Sequence, residues 1–500
     1  MQLLKKIPFR YCALAILFVA ANGAAFAAEP LAPLAQLNAK GARVSALVLR
    51  LNDDKVLAAL NPDTALVPAS TSKLYITAAA LAHWGTDYRF RTRLLATGKI
   101  VNGVVEGDLV FVGAGDPAFT NETLATLVRH LGERGITRIS GDLVVNAGRF
   151  GKLACIPEDR CAAKSVSSNS YDAELSSASV NFANVAVAVT PASQAGSAAQ
   201  AVVTPYSPPM FRLQNRVKTV AGGRAAIGLS RATRDGHDML TANGTVPVGA
   251  PTHRYYVAVS DPNRYTGELL RAFLAATGIR VDGSIRVSWN AAPSGSEIAA
   301  VDSQPLWMLT RRMLTWSNNF MADTLALDLL RERTQPPLSL TAAGAALTDI
   351  ARGLESRSDL MRKRKPQVNL ASGSGLTPTS RASARDLAAL LDAMYKNTGL
   401  FPTFLGSLTV PAYTPVHMLS DPGNRAWMQR IAAKTGSLHG AQNVFALAGY
   451  FRLPDDSWGA FAVIVNDTKK YEPSLATSIA ATRDAITPFL KKPPPRARHP

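Results

Sequence analysis

Apolar positions along this chain fall into two kinds of pattern. Near one end, "RVSALVLRL" (Arg43 to Leu51) and "KVLAAL" (Lys55 to Leu60) are short apolar runs separated by Asn52-Asp53-Asp54, a spacing that predicts a β-hairpin. Near the other end, "NVFALAGYF" (Asn443 to Phe451) and "WGAFAVIV" (Trp458 to Val465) flank the turn "RLPDDS", and "SLATSIAATRDAITPFL" has the 3.6-residue period of an amphipathic helix. From Leu306 to Lys396 the helical period dominates, in "LWMLTRRMLTWSNN", "FMADTLALDLLRER" and "ARDLAALLDAMYK". Strands from both chain ends sharing one sheet, with helices between them, predict an α/β layered domain.

Between about Arg91 and Trp289 the pattern changes and a weak repeat emerges. The run "LATLVRHLGERGITRISGDLVV" resembles "LLRAFLAATGIRVDGSIRV", each a helical segment ending in Gly-Ile and followed by strand, Gly and strand. "VVEGDLVF" (Val104 to Phe111) repeats the strand-Gly-strand part. The Ala-, Ser-, Pro- and Thr-rich stretch Thr190 to Pro209 predicts a loop or weakly ordered excursion. A stretch of about 200 residues exceeds any ordinary loop, so 91–289 reads as an inserted β-rich module of two subdomains. It interrupts a discontinuous domain made of 28–90 and 290–490, with 491–500 as a basic tail.

The first 27 residues read differently. Lys5, Lys6 and Arg10 precede the apolar stretch Tyr11 to Ala21, and Ala25-Phe26-Ala27 offers small residues for cleavage, the form of a secretory signal peptide. The alternative, a retained anchor, is disfavoured because the apolar run is shorter than the roughly 20 residues that span a bilayer. The chain is therefore expected in an exported compartment, the periplasm. There, Cys155 and Cys161 in "CIPEDRC" are expected to form a local disulfide, and no histidine stands close enough for a metal site.

Net charge is +18, or +15 once the three signal cations are removed. Such a field favours polyanionic surroundings: anionic lipid, met as a peripheral membrane contact, or a carboxylate-bearing wall polymer. Nucleic acid would need a groove-binding motif, and the chain has none. Apart from "RKRK" around Lys363 and the tail "KKPPPRARHP", the charge is dispersed.

Candidate chemistry begins at "VPASTSKLYITAAAL" (Val67 to Leu81), where Ser70 and Lys73 stand at i and i+3 near a helix start. On a helix the two side chains meet, and the first-turn N–H groups favour negative charge developing at Ser70. Lys73 can act as a base only if it gives up its proton, which burial and a second nearby cation favour. A second element stands in "RIAAKTGSLHG": Lys434 and Thr435 on an edge strand can bind a carboxylate, and Gly436 admits close backbone approach. Ser-x-Asn occurs four times, but only Ser317-Asn318-Asn319 lies between two amphipathic helices, where a short connection can project Ser317 and Asn319 into a cleft. A Ser-His-Asp hydrolase is disfavoured, because Gly-x-Ser-x-Gly is absent and the seven histidines are scattered, with only His439 near a motif.

Taken in order, Ser70, Lys73, Ser317, Asn319 and Lys434 resemble the Ser-x-x-Lys, Ser-x-Asn and Lys-Thr-Gly set of penicillin-binding proteins and serine β-lactamases. The 247 residues from Ser70 to Ser317 resemble the insertion of the class C low-molecular-mass penicillin-binding proteins, which are D-alanyl-D-alanine carboxypeptidase/endopeptidases. So do "GDLVFVGAGDPAFT", "GDLVVNAGRF", "SSASVNFANVAVAVTP", "SNNFMADTL" and "SGSGLTPTSRAS", so that the likeness covers nearly the whole mature chain.

The resemblance implies a transpeptidase-like α/β domain with Ser70 as nucleophile, Lys73 as its base, and Ser317 and Asn319 assisting. Lys434 and Thr435 would bind substrate, beside Gly436 and Ser437, whose N–H would help hold the oxyanion. It also implies peptidoglycan peptides and β-lactams as partners, and neither metal nor cofactor. Two departures stand out: Ser372 where the family usually has Asp, and Asp323 where it has Glu. A catalytically silent penicillin-binding wall protein and a β-lactamase are the competing readings. The large insertion and the want of an evident deacylating carboxylate weigh against the latter.

Overall fold

A computed structural model describes residues 30–153, 169–414, 416–440 and 442–491. The expected signal segment, Cys155 and Cys161, and the basic tail beyond Lys491 lie outside these residues. The two chain ends do share one sheet. Its antiparallel order is Ile431–Leu438, Val444–Arg452, Trp458–Asn466, Arg43–Arg50 and Lys55–Leu60, which puts Lys434 on an edge strand.

This sheet is covered on both faces, which explains its nearly unbroken apolar runs. Successive side chains alternate between the layers. Leu47, Leu49, Ala446 and Ile464 pack toward helices Lys73–Trp84 and Ala384–Tyr395. Val48, Phe445, Val463 and Val465 pack toward helices Ala32–Lys40 and Leu475–Leu490. Among the described residues no helix is long and apolar enough to cross a membrane.

The repeat in the middle of the chain is realised as parallel pairing. Helices Asn121–Gly132 and Pro262–Ala276 each lead into a short strand, a glycine and a second strand. Arg280 pairs with Arg138 and Ile285 with Leu143, while Val104 and Leu109 pair with Arg138 and Leu143 from the third copy. The glycines allow this stacking: a Cβ on Gly141 would come within 2.6 Å of the Gly107 carbonyl, and one on Gly283 within 2.4 Å of the Gly141 carbonyl.

Two expectations need amendment. Within Thr190–Pro209, Gln200–Thr204 is a strand paired with Asn184–Thr190, because Val202 and Val203 continue a β pattern that the small polar residues around them obscure. Strand pairing also runs past Trp289, since Ser296–Asp302 pairs antiparallel with Arg91–Ala96. The middle of the chain is tied to the helical layer where Arg149 Nε donates to Asp328 Oδ1 at 2.6 Å.

Candidate active site

Ser70 is not in the first turn of an α-helix but in a 3₁₀ turn, Ala69–Ser72, that feeds the α-helix Lys73–Trp84. In 3₁₀ geometry residues i and i+3 nearly eclipse, which brings Ser70 and Lys73 together more directly than an α turn would. Ala69, just before the serine, has φ +47°, a left-handed conformation that a non-glycine residue adopts at a cost. Such strain is held where the surroundings over-determine it. Asn466, at the end of a central sheet strand, accepts from Val67 N at 2.9 Å and donates to Val67 O at 3.1 Å, pinning the approach to the turn.

Lys73 is fully buried, and its Nζ donates to three oxygens: Ser70 Oγ at 2.9 Å, Asn319 Oδ1 at 2.8 Å and the Ser374 carbonyl at 2.7 Å. The last two fix the nitrogen while the first offers a direct path for proton transfer. Asn319 opens the helix Asn319–Arg331. The connection to the preceding helix Leu306–Trp316 is as short as the hydrophobic periods imply. Ser317 caps the first helix in the left-handed region, φ +52° and ψ +38°, and the Asn318 side chain caps the second by accepting from Met321 N. That reversal aims Ser317 at Lys434 and Asn319 at Lys73.

Lys434 Nζ donates to Ser317 Oγ at 2.9 Å and to the Thr435 carbonyl at 2.7 Å. Burial lowers its pKa to about 7, since a sequestered ammonium loses its hydration without a carboxylate to replace it. The strand carrying it presses against the Ser70 turn at Gly436, where a Cβ would sit 2.9 Å from Pro68 O and 3.0 Å from Ser70 N. Backbone from the strand and from the turn thus flank one small volume beside Ser70 Oγ.

Five of the sequence-predicted residues therefore fall into two hydrogen-bonded groups, Ser70 and Asn319 on Lys73, and Ser317 on Lys434, and Gly436 abuts the turn. Thr435 and Ser437 flank Gly436 on the strand, and Ser437 pairs in register with Phe445. The expected disulfide cysteines cannot be placed, lying outside the described residues.

Sequence reasoning missed two contributors. Ser374 holds Lys73 through its backbone carbonyl, which no side-chain motif could reveal, and Asn466 was legible only as a polar residue ending an apolar strand. The departures from the resembled family bear on the first of these. Asp323 Oδ1 accepts from Ser374 N at 2.8 Å, so the shorter carboxylate still reaches the loop. Ser372 Oγ lies 3.3 Å from Ser374 Oγ, making position 372 a neighbour of the residue that anchors the lysine. Gly375, φ +73°, lets this loop pass the turn, since a Cβ there would lie 2.0 Å from Ala69 O.

A buried lysine on a serine, a second lysine on another serine and an edge strand against the Ser70 turn can support acyl transfer without a histidine. The chain also resembles known proteins. The chain is 25% identical over 460 residues to D-alanyl-D-alanine carboxypeptidase DacB of Haemophilus influenzae, covering 88% of this chain and 89% of that protein. It is 27% identical over 425 residues to D-alanyl-D-alanine carboxypeptidase of Actinomadura sp. (strain R39), covering 80% and 73%. The fold matches the crystal structure of penicillin binding protein 4 from Haemophilus influenzae with a TM-score of 0.73 at 22% identity, over 92% of this chain and 99% of that one. A family model matches residues 28–485, and the chain belongs to the D-Ala-D-Ala carboxypeptidase 3 (S13) family.

Proposed function

We propose that this D-Ala-D-Ala carboxypeptidase works through an acyl-enzyme on Ser70, a reading carried by the 2.9 Å contact between Lys73 Nζ and Ser70 Oγ. In the productive state Lys73 is neutral. Ser70 Oγ attacks the carbonyl carbon of the penultimate D-alanine of a peptidoglycan stem peptide, and its proton passes to Lys73 Nζ. The oxyanion sits between the N–H groups of Ser70 and Ser437; removing one such donor typically costs about 10²- to 10³-fold in rate. The C–N bond then breaks, and Ser317 relays a proton to the leaving amine while Lys434 sets the local field. Asn319 holds the substrate's peptide carbonyl as well as Lys73. Lys434 and Thr435 bind the terminal carboxylate of D-alanine, or that of diaminopimelate when a cross-link is opened. Water hydrolyses the ester and restores Ser70.

Endopeptidase cleavage of cross-links uses the same atoms, since only the leaving amine differs. β-Lactams imitate the acyl-D-Ala-D-Ala end, so they acylate Ser70 and leave slowly. The test pairs wild type with Ser70→Ala, each given fluorescent penicillin, a D-Ala-D-Ala peptide and a cross-linked muropeptide. Wild type is expected to retain the label, release D-alanine and open the cross-link, and Ser70→Ala to do none of these. Failure of wild type on both peptides would sink the enzymatic reading, and rapid turnover of the penicillin would mark a β-lactamase.

Residues 1–27 direct export to the periplasm, where Cys155 and Cys161 pair and the cationic surface favours anionic wall or membrane. Support comes from the composition of those segments. Mass spectrometry of the exported protein, with and without reductant, reads both the cleavage point and the pairing.

A further inference from the structure

The helix Asn319–Arg331 carries a carboxylate that the serine chemistry does not use. Asn319 and Asp323 tie the start of this helix to Lys73 and to Ser374. Asp328 stands nine residues after Asn319, about 13 Å further along the axis, and faces the β-rich middle of the chain. It is fully buried. Arg149 Nε donates to its Oδ1 at 2.6 Å, while its buried Oδ2 meets no hydrogen-bond donor among the described residues. Backbone closes the other side: Gly115 has φ +73°, and a Cβ on it would stand 2.4 Å from Asp328 Oδ1. That glycine is itself held, its N–H donating to the Ser177 carbonyl at 3.0 Å.

The residue after Gly115 is a second buried acid, Asp116, whose Oδ1 accepts from Ala118 N at 2.8 Å. The other titratable groups around the pair come from three elements. Glu332, at the end of the same helix, accepts from Trp84 Nε1 at 3.4 Å and lies near Asp328, as does the phenol of Tyr88. Arg312, on the helix Leu306–Trp316, lies near both Asp116 and Glu122. Burial lifts both carboxyls from 3.8 to about 7. The Ala118 N–H and Arg312 oppose the rise at Asp116 and Arg149 opposes it at Asp328, where the charges of Asp116 and Glu332 add to it.

We propose that Asp116, Asp328 and Arg149 form a proton-operated latch between the β-rich middle of the chain and the helix Asn319–Arg331. With a proton on one carboxyl, the other balances Arg149 and the loop Gly113–Asp116 stays seated. Without that proton, two buried negative charges face one guanidinium and the loop lifts. The loop is the part that yields, because Lys73 and Ser374 hold the start of the helix. Both carboxyls keep a proton in the closed state that they release in the open one. Their contribution to seating is therefore complete below about pH 3.8 and is lost as pH rises through about 7. The latch is independent of the serine DD-peptidase reading. On the export reading, it couples the seating of the middle of the chain to ambient pH.

The test is amide deuterium exchange read by mass spectrometry on the full exported protein at about pH 6 and about pH 8.5, corrected for the intrinsic rise of exchange with pH. Wild type, Asp328→Asn and Asp116→Asn are compared. Each substitution leaves a single carboxylate to balance Arg149, and either variant alone suffices if the other fails to fold. In wild type, protection of 113–119 is expected to fall about tenfold or more between the two pH values, while the central strand Val444–Arg452 keeps its protection. In the variants, the change at 113–119 should stay within about twofold. Equal protection of this loop in wild type at both pH values would overturn the proposal. So would the same fall in an Asn variant, or an equal fall in the central strand, which would mark general loosening instead of a latch.

Discussion

Gly436 lies so close beneath Ser70 that a Cβ on it would stand 3.0 Å from the Ser70 amide nitrogen and 3.1 Å from that of Thr71. Both neighbours are backbone of the Ser70 turn, so neither can rotate away. Gly436→Ala is expected to push the strand and turn apart by a few tenths of an ångström, widening the space for the oxyanion. Acylation by fluorescent penicillin should slow by about 10²-fold, the scale of one lost oxyanion donor, with the melting temperature nearly unchanged. Stopped-flow labelling measures it, and a wild-type rate would show that the strand yields freely.

Lys434 predicts an alkaline limb. With its pKa lowered to about 7 by burial, the charged form that binds a carboxylate is lost as pH rises through that value. In the free enzyme, kcat/KM for a peptide ending in D-alanine should therefore decline above about pH 7. Lys434→Arg stays charged throughout and should lack that limb, even if its rate is lower. The same depression bears on stability. Because the folded pKa is below the unfolded one, the cost of burying the ammonium is complete below about pH 7 and fades as pH rises toward about 10.4.

Asn466→Ala removes both hydrogen bonds to Val67 and leaves a buried N–H and C=O without their partner. An unsatisfied buried group costs about 1–3 kcal/mol. Denaturant midpoints should fall accordingly, and acylation should slow because the turn bearing Ser70 loses its tether. Normal acylation in a destabilised variant would make the clamp purely structural.

Glu355 lies behind the helix Lys73–Trp84 near Tyr75, fully buried, and burial pushes its pKa up to about 9. The folded protein thus keeps a proton that the unfolded chain releases near its ordinary value of 4.5. Stability from this group is complete below about pH 4.5 and is lost as pH rises toward about 9. Glu355→Gln should flatten that slope, so that its melting temperature gains on wild type between pH 6 and pH 9. Parallel thermal scans decide it; equal slopes would mean that the carboxyl does not titrate in this range.

Much of the site was legible because its chemistry is written in short local patterns. Ser70 and Lys73 are three residues apart, and Lys434, Thr435 and Gly436 are contiguous, so spacing alone put the candidate groups of each motif side by side. The choice of Ser317-Asn318-Asn319 among four copies needed only the hydrophobic periods on either side of it. The sheet built from both chain ends was readable in the same way, because strands buried on both faces leave long apolar runs. Gln200–Thr204 was not, since a small, polar composition hides a strand whose partner lies elsewhere in the chain.

Sequence by itself determined which side chains could do the chemistry and the order of the layers, because period and motif are local properties of the chain. Tertiary structure alone decided how those groups act on one another. The carbonyl that holds Lys73 belongs to Ser374, 301 residues away, and the amide that anchors the Ser70 turn comes from Asn466, 399 residues from Val67. The lowered pKa of Lys434 likewise depends on burial by elements remote in the chain. Distances and exclusion of water arise only when remote segments pack, and no local pattern specifies them.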